Sequence, residues 1–285
     1  MTIESGALYV VATPLGNLAD LSVRARETLA AVAWVAAEDT RHSQPLLRQV
    51  GSAAKLLAAP EHHEREASAR IVELLAQGDA VALISDAGTP GISDPGARIV
   101  AAVRAAGYRV IPLPGPCAAV AALSASGFDD PHFLFFGFLP ARPGQRQQSL
   151  EALRDQPWSL VFYEAPHRVV ECVEDLARIL GPRQVVIARE LTKVFETIAS
   201  LPLLEAADWL RQDGNRQRGE FVLVVSGAPA SPEDGESERV LRLLLDDGLP
   251  VSQAAKLAAA ITGSGRKGLY ERALALRALN SDPAT

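Results

Sequence analysis

The stretch Val81-Ala82-Leu83-Ile84-Ser85-Asp86-Ala87-Gly88-Thr89-Pro90-Gly91-Ile92-Ser93-Asp94-Pro95-Gly96 decides the fold class. Its first four residues are apolar without alternation, as in a strand buried on both faces of a parallel sheet. Residues 85–96 carry three glycines and two prolines, an irregular backbone at the carboxyl end of that strand. In open α/β sheets this end is where ligands bind, because glycines let them approach the main chain. Ser93 or Asp94 suits the cap of a helix starting at Pro95, whereas residues 86–89 suit a ligand contact.

Outward from this loop, Leu8-Tyr9-Val10-Val11-Ala12 and Arg109-Val110-Ile111 read as further strands. Apolar residues at helical spacing predict helices over 21–32, 64–77 and 97–106. Strands alternating with helices predict a parallel sheet covered on both faces. Pro112-Leu113-Pro114-Gly115-Pro116 cannot continue a strand or helix and marks a stiff connection. Beyond it the scheme repeats less regularly, with strands at 133–136, 160–163, 185–188 and 221–225 and helices at 166–180 and 203–210. The reading is an α/β domain over 1–116, a second over 117–227 and a cleft between them. After these come an exposed linker over 228–238 and a helical tail over 239–285. From Arg239 to Arg277 the tail holds seven basic and three acidic residues, a local charge of +4. Ser252 is placed to cap one helix, and Gly263-Ser264-Gly265 to turn the chain into another from Lys267. That pattern fits first a solvated hairpin packed on the body, with a helix-turn-helix on nucleic acid as the lesser alternative.

The chain of 285 residues has 28 Lys and Arg against 34 Asp and Glu, a net charge of −6. Ordinary apolar content excludes a disordered chain, and the acidity argues against a nonspecific nucleic-acid coat. Cys117 and Cys172 are too few for a disulfide framework, which suits a reducing cytoplasm. Residues 1–5 lack the basic and apolar regions of a secretory signal, and prolines interrupt the charge-free stretch 110–128, so a soluble protein is expected. Dinucleotide, Walker and serine-hydrolase glycine motifs are missing, and His62-His63 lacks the spacing of a zinc site, so no metal is expected. Two other segments carry chemistry: Tyr163-Glu164-Ala165-Pro166-His167-Arg168 and Arg189-Glu190-Leu191-Thr192-Lys193. Both come directly after strands. If those strands are neighbours, Glu164, His167, Arg168, Glu190 and Lys193 gather as candidate bases and cations for an anionic substrate.

Five ordered motifs, residues 10–22, 85–96, 114–116, 162–168 and 189–193, resemble the ribosomal RNA small-subunit methyltransferase I family, a branch of the tetrapyrrole methylases. The resemblance runs from about residue 7 to 225. It implies a class III methyltransferase fold, usually homodimeric, that binds S-adenosylmethionine folded in the interdomain cleft and methylates a cytidine ribose 2′-oxygen of small-subunit RNA. By motif, Pro14, Leu15, Asp86, Gly88, Thr89, Ile92, Cys117, Ala118, Tyr163 and Ala165 would contact the cofactor. The family commonly has serine where Cys117 stands, which leaves a backbone contact there but no hydroxyl. Lys193, Glu190, Glu164 and His167 are the candidates for activating the ribose hydroxyl. Arg168, Arg189, Arg142, Arg146, Arg266 and Lys267 are candidate RNA contacts. Two rivals stand beside this reading: C-methylation of a tetrapyrrole, and a noncatalytic RNA-binding ribosome assembly factor.

Overall fold

A computed structural model describes residues 3–229 and 232–280. Met1–Gly227 form one compact unit and Ala228–Thr285 a second. The first sheet contains β1 (Ala7–Val11), β2 (Trp34–Ala37), β3 (Lys55–Ala58), β4 (Val81–Ile84) and β5 (Arg109–Leu113), in the order β3-β2-β4-β1-β5 and all parallel. Alternate residues of β1 feed opposite cores. Tyr9 packs with Leu29 of α1 (Val23–Ala31) and Leu47 of α2 (Thr40–Gln49). Leu8 packs with Ile71 of α3 (Glu64–Ala76) and Ile99 of α4 (Ala97–Ala105). Each such side chain contributes about 1.5–3 kcal/mol through burial. Every residue of β4 is buried, which explains why its sequence reads so plainly as a strand.

Three elements of this half carry little local signal and escape a reading of the sequence. β2 is short and half alanine, β3 is an edge strand that begins with Lys55, and α2 contains Pro45. An N-cap starts α2: the Asp39 carboxylate accepts from the backbone N–H of Arg41 at 2.8 Å.

The second sheet comprises β6 (Phe133–Phe138), β7 (Ser159–Glu164), β8 (Gln184–Arg189), β9 (Thr197–Pro202) and β10 (Phe221–Val225), in the order β6-β7-β10-β8-β9. Here the expected repetition of a parallel scheme fails. Only β6 and β7 are parallel, and β10 inserts antiparallel between β7 and β8. Glu164 and Arg189 therefore both register with Phe221. The two chemistry-bearing segments leave the same edge of the sheet, but one strand apart. One face of the sheet packs on α5 (Ala118–Ser124) through Ala119 and Ala122. The other carries α6 (Pro143–Glu151), α7 (Val169–Leu180) and α8 (Ala206–Arg211) around Phe162, Leu176, Leu210 and Leu223.

Arg146 corrects an expectation. Its side chain is 3% exposed and its Nε donates to Asp175 at 2.6 Å, joining α6 to α7. It is a buried structural ion pair, not an RNA contact. Arg142, at the start of α6, is exposed.

The second unit holds α9 (Pro232–Asp246), α10 (Val251–Thr262) and α11 (Arg266–Asn280) around Leu241, Ala254, Ala258 and Ala273. Helix begins at Pro232, so most of the expected 228–238 linker is the first turns of α9. Pro250 precedes α10 with no side-chain cap, so Ser252 lies inside the helix and caps nothing. Gly263, left-handed at φ 75°, ends α10 as the glycine turn predicted. Arg266 and Lys267 are exposed at the start of α11, and residues 281–285 of the expected tail lie outside the described residues. Among the described residues no helix is long and apolar enough to cross a membrane.

Candidate active site

The loop after β1 is bound to the loop after β4 by backbone hydrogen bonds. The N–H of Thr13 donates to the Gly88 carbonyl at 2.8 Å, and that of Gly88 to the Thr13 carbonyl at 3.0 Å. Gly88 has φ 80°, a backbone conformation that favours glycine, and a β-carbon there would come to 3.3 Å from the Leu15 side chain. The Thr89 hydroxyl donates to the Pro116 carbonyl at 2.9 Å, fastening the same loop to the connection between the sheets. Ser93 is held at φ 63°, a conformation rare outside glycine and retained where the surroundings force it.

These loops and the edge of the second sheet enclose a cavity of about 390 Å³. Leu15, Gly88, Thr89, Ile92, Cys117, Ala118, Tyr163 and Ala165 all line it. Pro14 and Asp86 do not. They line an adjoining recess of about 640 Å³ with Gly16, Lys193 and Glu220, and Asp86 accepts from the backbone N–H of Asp39 at 3.2 Å. Asp94 and Leu191, which lie inside two of the motifs without an expected cofactor contact, also stand on the cavity wall, as do Phe138 and Phe221, which lie outside the motifs. Phe221 carries no local signal, since only strand order brings it there. Tyr163 stacks edge-on against Phe138, with centroids 5.6 Å apart, and its hydroxyl accepts from the N–H of Ala119 at 3.1 Å. Burial, with Cys117 beside it, pushes the phenol far above its ordinary pKa, so it stays protonated.

By position Asp94 suits the cap of α4, but the helix begins at Ala97 with Gly96 as its N-cap residue, whose N–H donates to Glu64 at 2.6 Å. Asp94 faces the cavity instead. Burial, reinforced by Asp86 and opposed by a hydrogen bond from Ser85, raises its carboxyl to about 6.

Three other candidates, Glu164, Arg168 and Arg189, are engaged with neighbours inside the protein. Glu164 is 1% exposed at its side chain, and its Oε1 accepts from Arg168 at 2.6 and 2.9 Å and from the N–H of Ala165 at 2.7 Å. The other carboxylate oxygen of Glu164, Oε2, is buried without a hydrogen-bond partner, and Glu164 stands in the cavity lining. The Arg189 guanidinium is likewise committed, donating to the carbonyls of Phe195 at 3.0 Å and Arg218 at 3.3 Å and to the Thr197 hydroxyl at 3.1 Å. His167 is exposed and lines neither the cavity nor the recess.

Lys193 stands at the recess. Its Nζ donates to Glu190 and to Glu220, each at 2.9 Å. Partial burial works against its charge, but these two hydrogen bonds outweigh it and raise the ammonium above its ordinary pKa. Burial likewise works against the Glu190 carboxylate, and the bonds from Lys193 and the Glu220 N–H outweigh it and lower the acid. The pair is thus a held cation and a weakly basic carboxylate. Two glycines make room for it: a β-carbon at Gly16 would sit 2.4 Å from Cγ of Lys193, and one at Gly219 2.4 Å from Cδ of Glu190. Glu190 and Thr192 adopt φ of 53° and 68°, so this turn carries backbone strain at the site.

Residues 7–207 match the family described as Tetrapyrrole (Corrin/Porphyrin) Methylases, and residues 231–277 match the RsmI C-terminal HTH domain. The chain is 51% identical to Ribosomal RNA small subunit methyltransferase I of Pseudomonas aeruginosa, over 95% of this chain and 98% of that one. It is 47% identical to the protein of the same name in Escherichia coli O157:H7, over 95% and 96%. Among solved structures, a cobalt precorrin-4 methyltransferase superposes with TM-score 0.59 at 16% identity, covering 78% of this chain and 95% of that one. Uroporphyrin-III C-methyl transferase from Thermus thermophilus, complexed with S-adenosyl homocysteine, gives 0.56 at 16% identity, covering 77% and 97%. At that identity these two show the shared fold alone.

Proposed function

The chain belongs to the tetrapyrrole methylase family and, within it, to the ribosomal RNA small subunit methyltransferase I branch, and we propose that it methylates the ribose 2′-oxygen of a cytidine in small-subunit ribosomal RNA. The near-full-length likeness to named ribosomal RNA methyltransferases carries this reading. The tetrapyrrole enzymes share only the architecture, at 16% identity.

The cavity suits S-adenosylmethionine. Its volume of about 390 Å³ is in the range of small-molecule sites. Its walls are largely apolar, and Asp94 supplies a carboxylate toward a cationic ligand. When bound, S-adenosylmethionine supplies an electrophilic sulfonium methyl that brings its own leaving group. The protein's part is to align the ribose hydroxyl and stabilise the charge that develops on its oxygen. Lys193 has the charge and the fixed position for this, with Glu190 and Glu220 holding its Nζ. Glu190, with its lowered basicity, positions the lysine and leaves the hydroxyl proton to water.

The direct test is methyl transfer from labelled S-adenosylmethionine to small subunits from cells lacking this gene, with the products read by nucleoside mass spectrometry. The expected product is 2′-O-methylcytidine. Methylation of a uroporphyrinogen-type substrate, with the subunits unlabelled, would establish the tetrapyrrole reading instead.

Asp94 sets a pH dependence. Its carboxyl titrates at about 6, so lowering the pH through that value removes the negative charge facing a cationic cofactor. Affinity for S-adenosylmethionine should fall about fivefold from pH 7.5 to 5, near 1 kcal/mol for a charge pair partly open to water. Calorimetry on the wild type and on Asp94→Asn measures this. A wild-type profile as flat as the variant's rules the contribution out.

A further inference from the structure

Beyond Lys193 the chain makes a tight turn and exposes two apolar side chains, Val194 at 93% and Phe195 at 72%. Exposed aromatic side chains on mobile loops are common, but this one is braced. The N–H of Thr192 donates to Glu196 Oε2 at 2.6 Å, and the N–H of Glu196 to the Lys193 carbonyl at 3.1 Å. The Phe195 carbonyl accepts from Arg189 and from the Thr197 hydroxyl. The same Arg189 guanidinium reaches the carbonyl of Arg218, so one cation sets the backbones of Phe195 and Arg218 on either side of itself. Arg218 is exposed, and among the described residues its guanidinium has no carboxylate partner. The neighbouring acids are already engaged, Glu220 with Lys193 and Glu196 with the Thr192 N–H.

An exposed ring on a braced backbone, with an unpaired cation whose own backbone is held by the same Arg189 guanidinium, is the chemistry that recognises an unstacked nucleotide, the ring taking the base and the guanidinium the phosphate. We infer that Phe195 and Arg218 form a nucleotide clamp that docks single-stranded RNA next to the reacting ribose at Lys193. The inference rests on the RNA reading above. It adds a specificity-determining pair outside the cofactor cavity, since neither residue lines it. A protein partner fits this surface less well: the apolar patch is small, comprising Val194, Phe195 and Ile198, and cations flank it.

The test uses the full chain and small subunits from cells lacking this gene. Phe195→Ala should raise KM for subunits about tenfold, the effect of losing one base stack, with kcat and S-adenosylmethionine affinity within twofold of wild type. Phe195→Trp, which keeps a stacking face, should restore KM. Arg218→Ala should lower the salt slope of subunit binding by about one, while Phe195→Ala leaves the slope unchanged. The clamp is overturned if Phe195→Ala leaves KM unchanged, or if Phe195→Trp is no better than alanine. An unaltered slope in Arg218→Ala also overturns it, as does a Phe195→Ala phenotype in cofactor affinity or in mass by light scattering. A wild type that methylates no subunit refutes the RNA reading itself. A methylating wild type with unaffected variants refutes only the clamp.

Discussion

Lys193→Ala is expected to lower kcat for methyl transfer by roughly 10²–10³-fold, the cost of removing one preorganised stabiliser of a developing oxyanion. S-adenosylmethionine affinity should stay within about twofold, because Lys193 lines the recess and not the cavity. A kcat effect with cofactor binding intact separates a catalytic cation from a binding residue. The pH profile separates a cation from a base. A lysine acting as base must lose its proton first, so its rate would climb from about pH 7 to 9. The hydrogen bonds from Lys193 to Glu190 and Glu220 push its pKa up despite partial burial, so it stays charged across that range and kcat should stay level. Lys193→Arg should recover only part of the activity, since a planar fork cannot occupy the site of a compact ammonium whose stem is pressed against Gly16. A Lys193→Ala enzyme with kcat near wild type, or a wild-type kcat that climbs steadily with pH over that range, would show that the charge is not used.

The second large effect concerns stability. Arg146→Ala should lower the unfolding free energy by about 3 kcal/mol, the low end for breaking a buried ion pair from one side. Asp175 is left nearly buried, at 10% side-chain exposure, and keeps only Gln147 at 3.1 Å and Arg178 at 2.5 Å as partners. The lost bridge is a polar contact between α6 and α7, and it is surrounded by the apolar core of the second sheet. Urea denaturation reads the change as a lower midpoint at constant slope. The salt slope of subunit binding should not move, which distinguishes this arginine from Arg218. An unchanged midpoint with a reduced salt slope would return Arg146 to the RNA surface.

Arg146 also shows why some of the site could not be read from the chain. In sequence it is one more basic residue between Arg142 and a polar helix, with nothing local to indicate the carboxylate 29 positions away. The same holds for Arg168 and Arg189, basic residues in the right motifs whose guanidiniums donate to Glu164 and to backbone carbonyls. Asp94 fails in the opposite direction. Its place before Pro95 suits a cap, but α4 starts two residues later with Gly96 at the cap position, which leaves Asp94 to the cavity.

What the sequence determined by itself is what short-range physics encodes. Unbroken apolar runs specify buried strands, and glycine and proline clusters specify irregular loops at their carboxyl ends, which gave residues 86–89 a ligand role, whereas Ile92, Tyr163 and Ala165 followed from the family resemblance. Periodicity also marked α1, α3, α4 and α7, whose buried faces repeat within a few residues. The tertiary structure alone decided that β10 separates β7 from β8, because strand order depends on pairings between distant segments that no local pattern records. It alone decided which charges remain available. A charged side chain looks the same in sequence whether it meets water, a substrate or a buried counter-ion, and only long-range packing sets Lys193 against Gly16 at the recess while closing Arg146 inside the core.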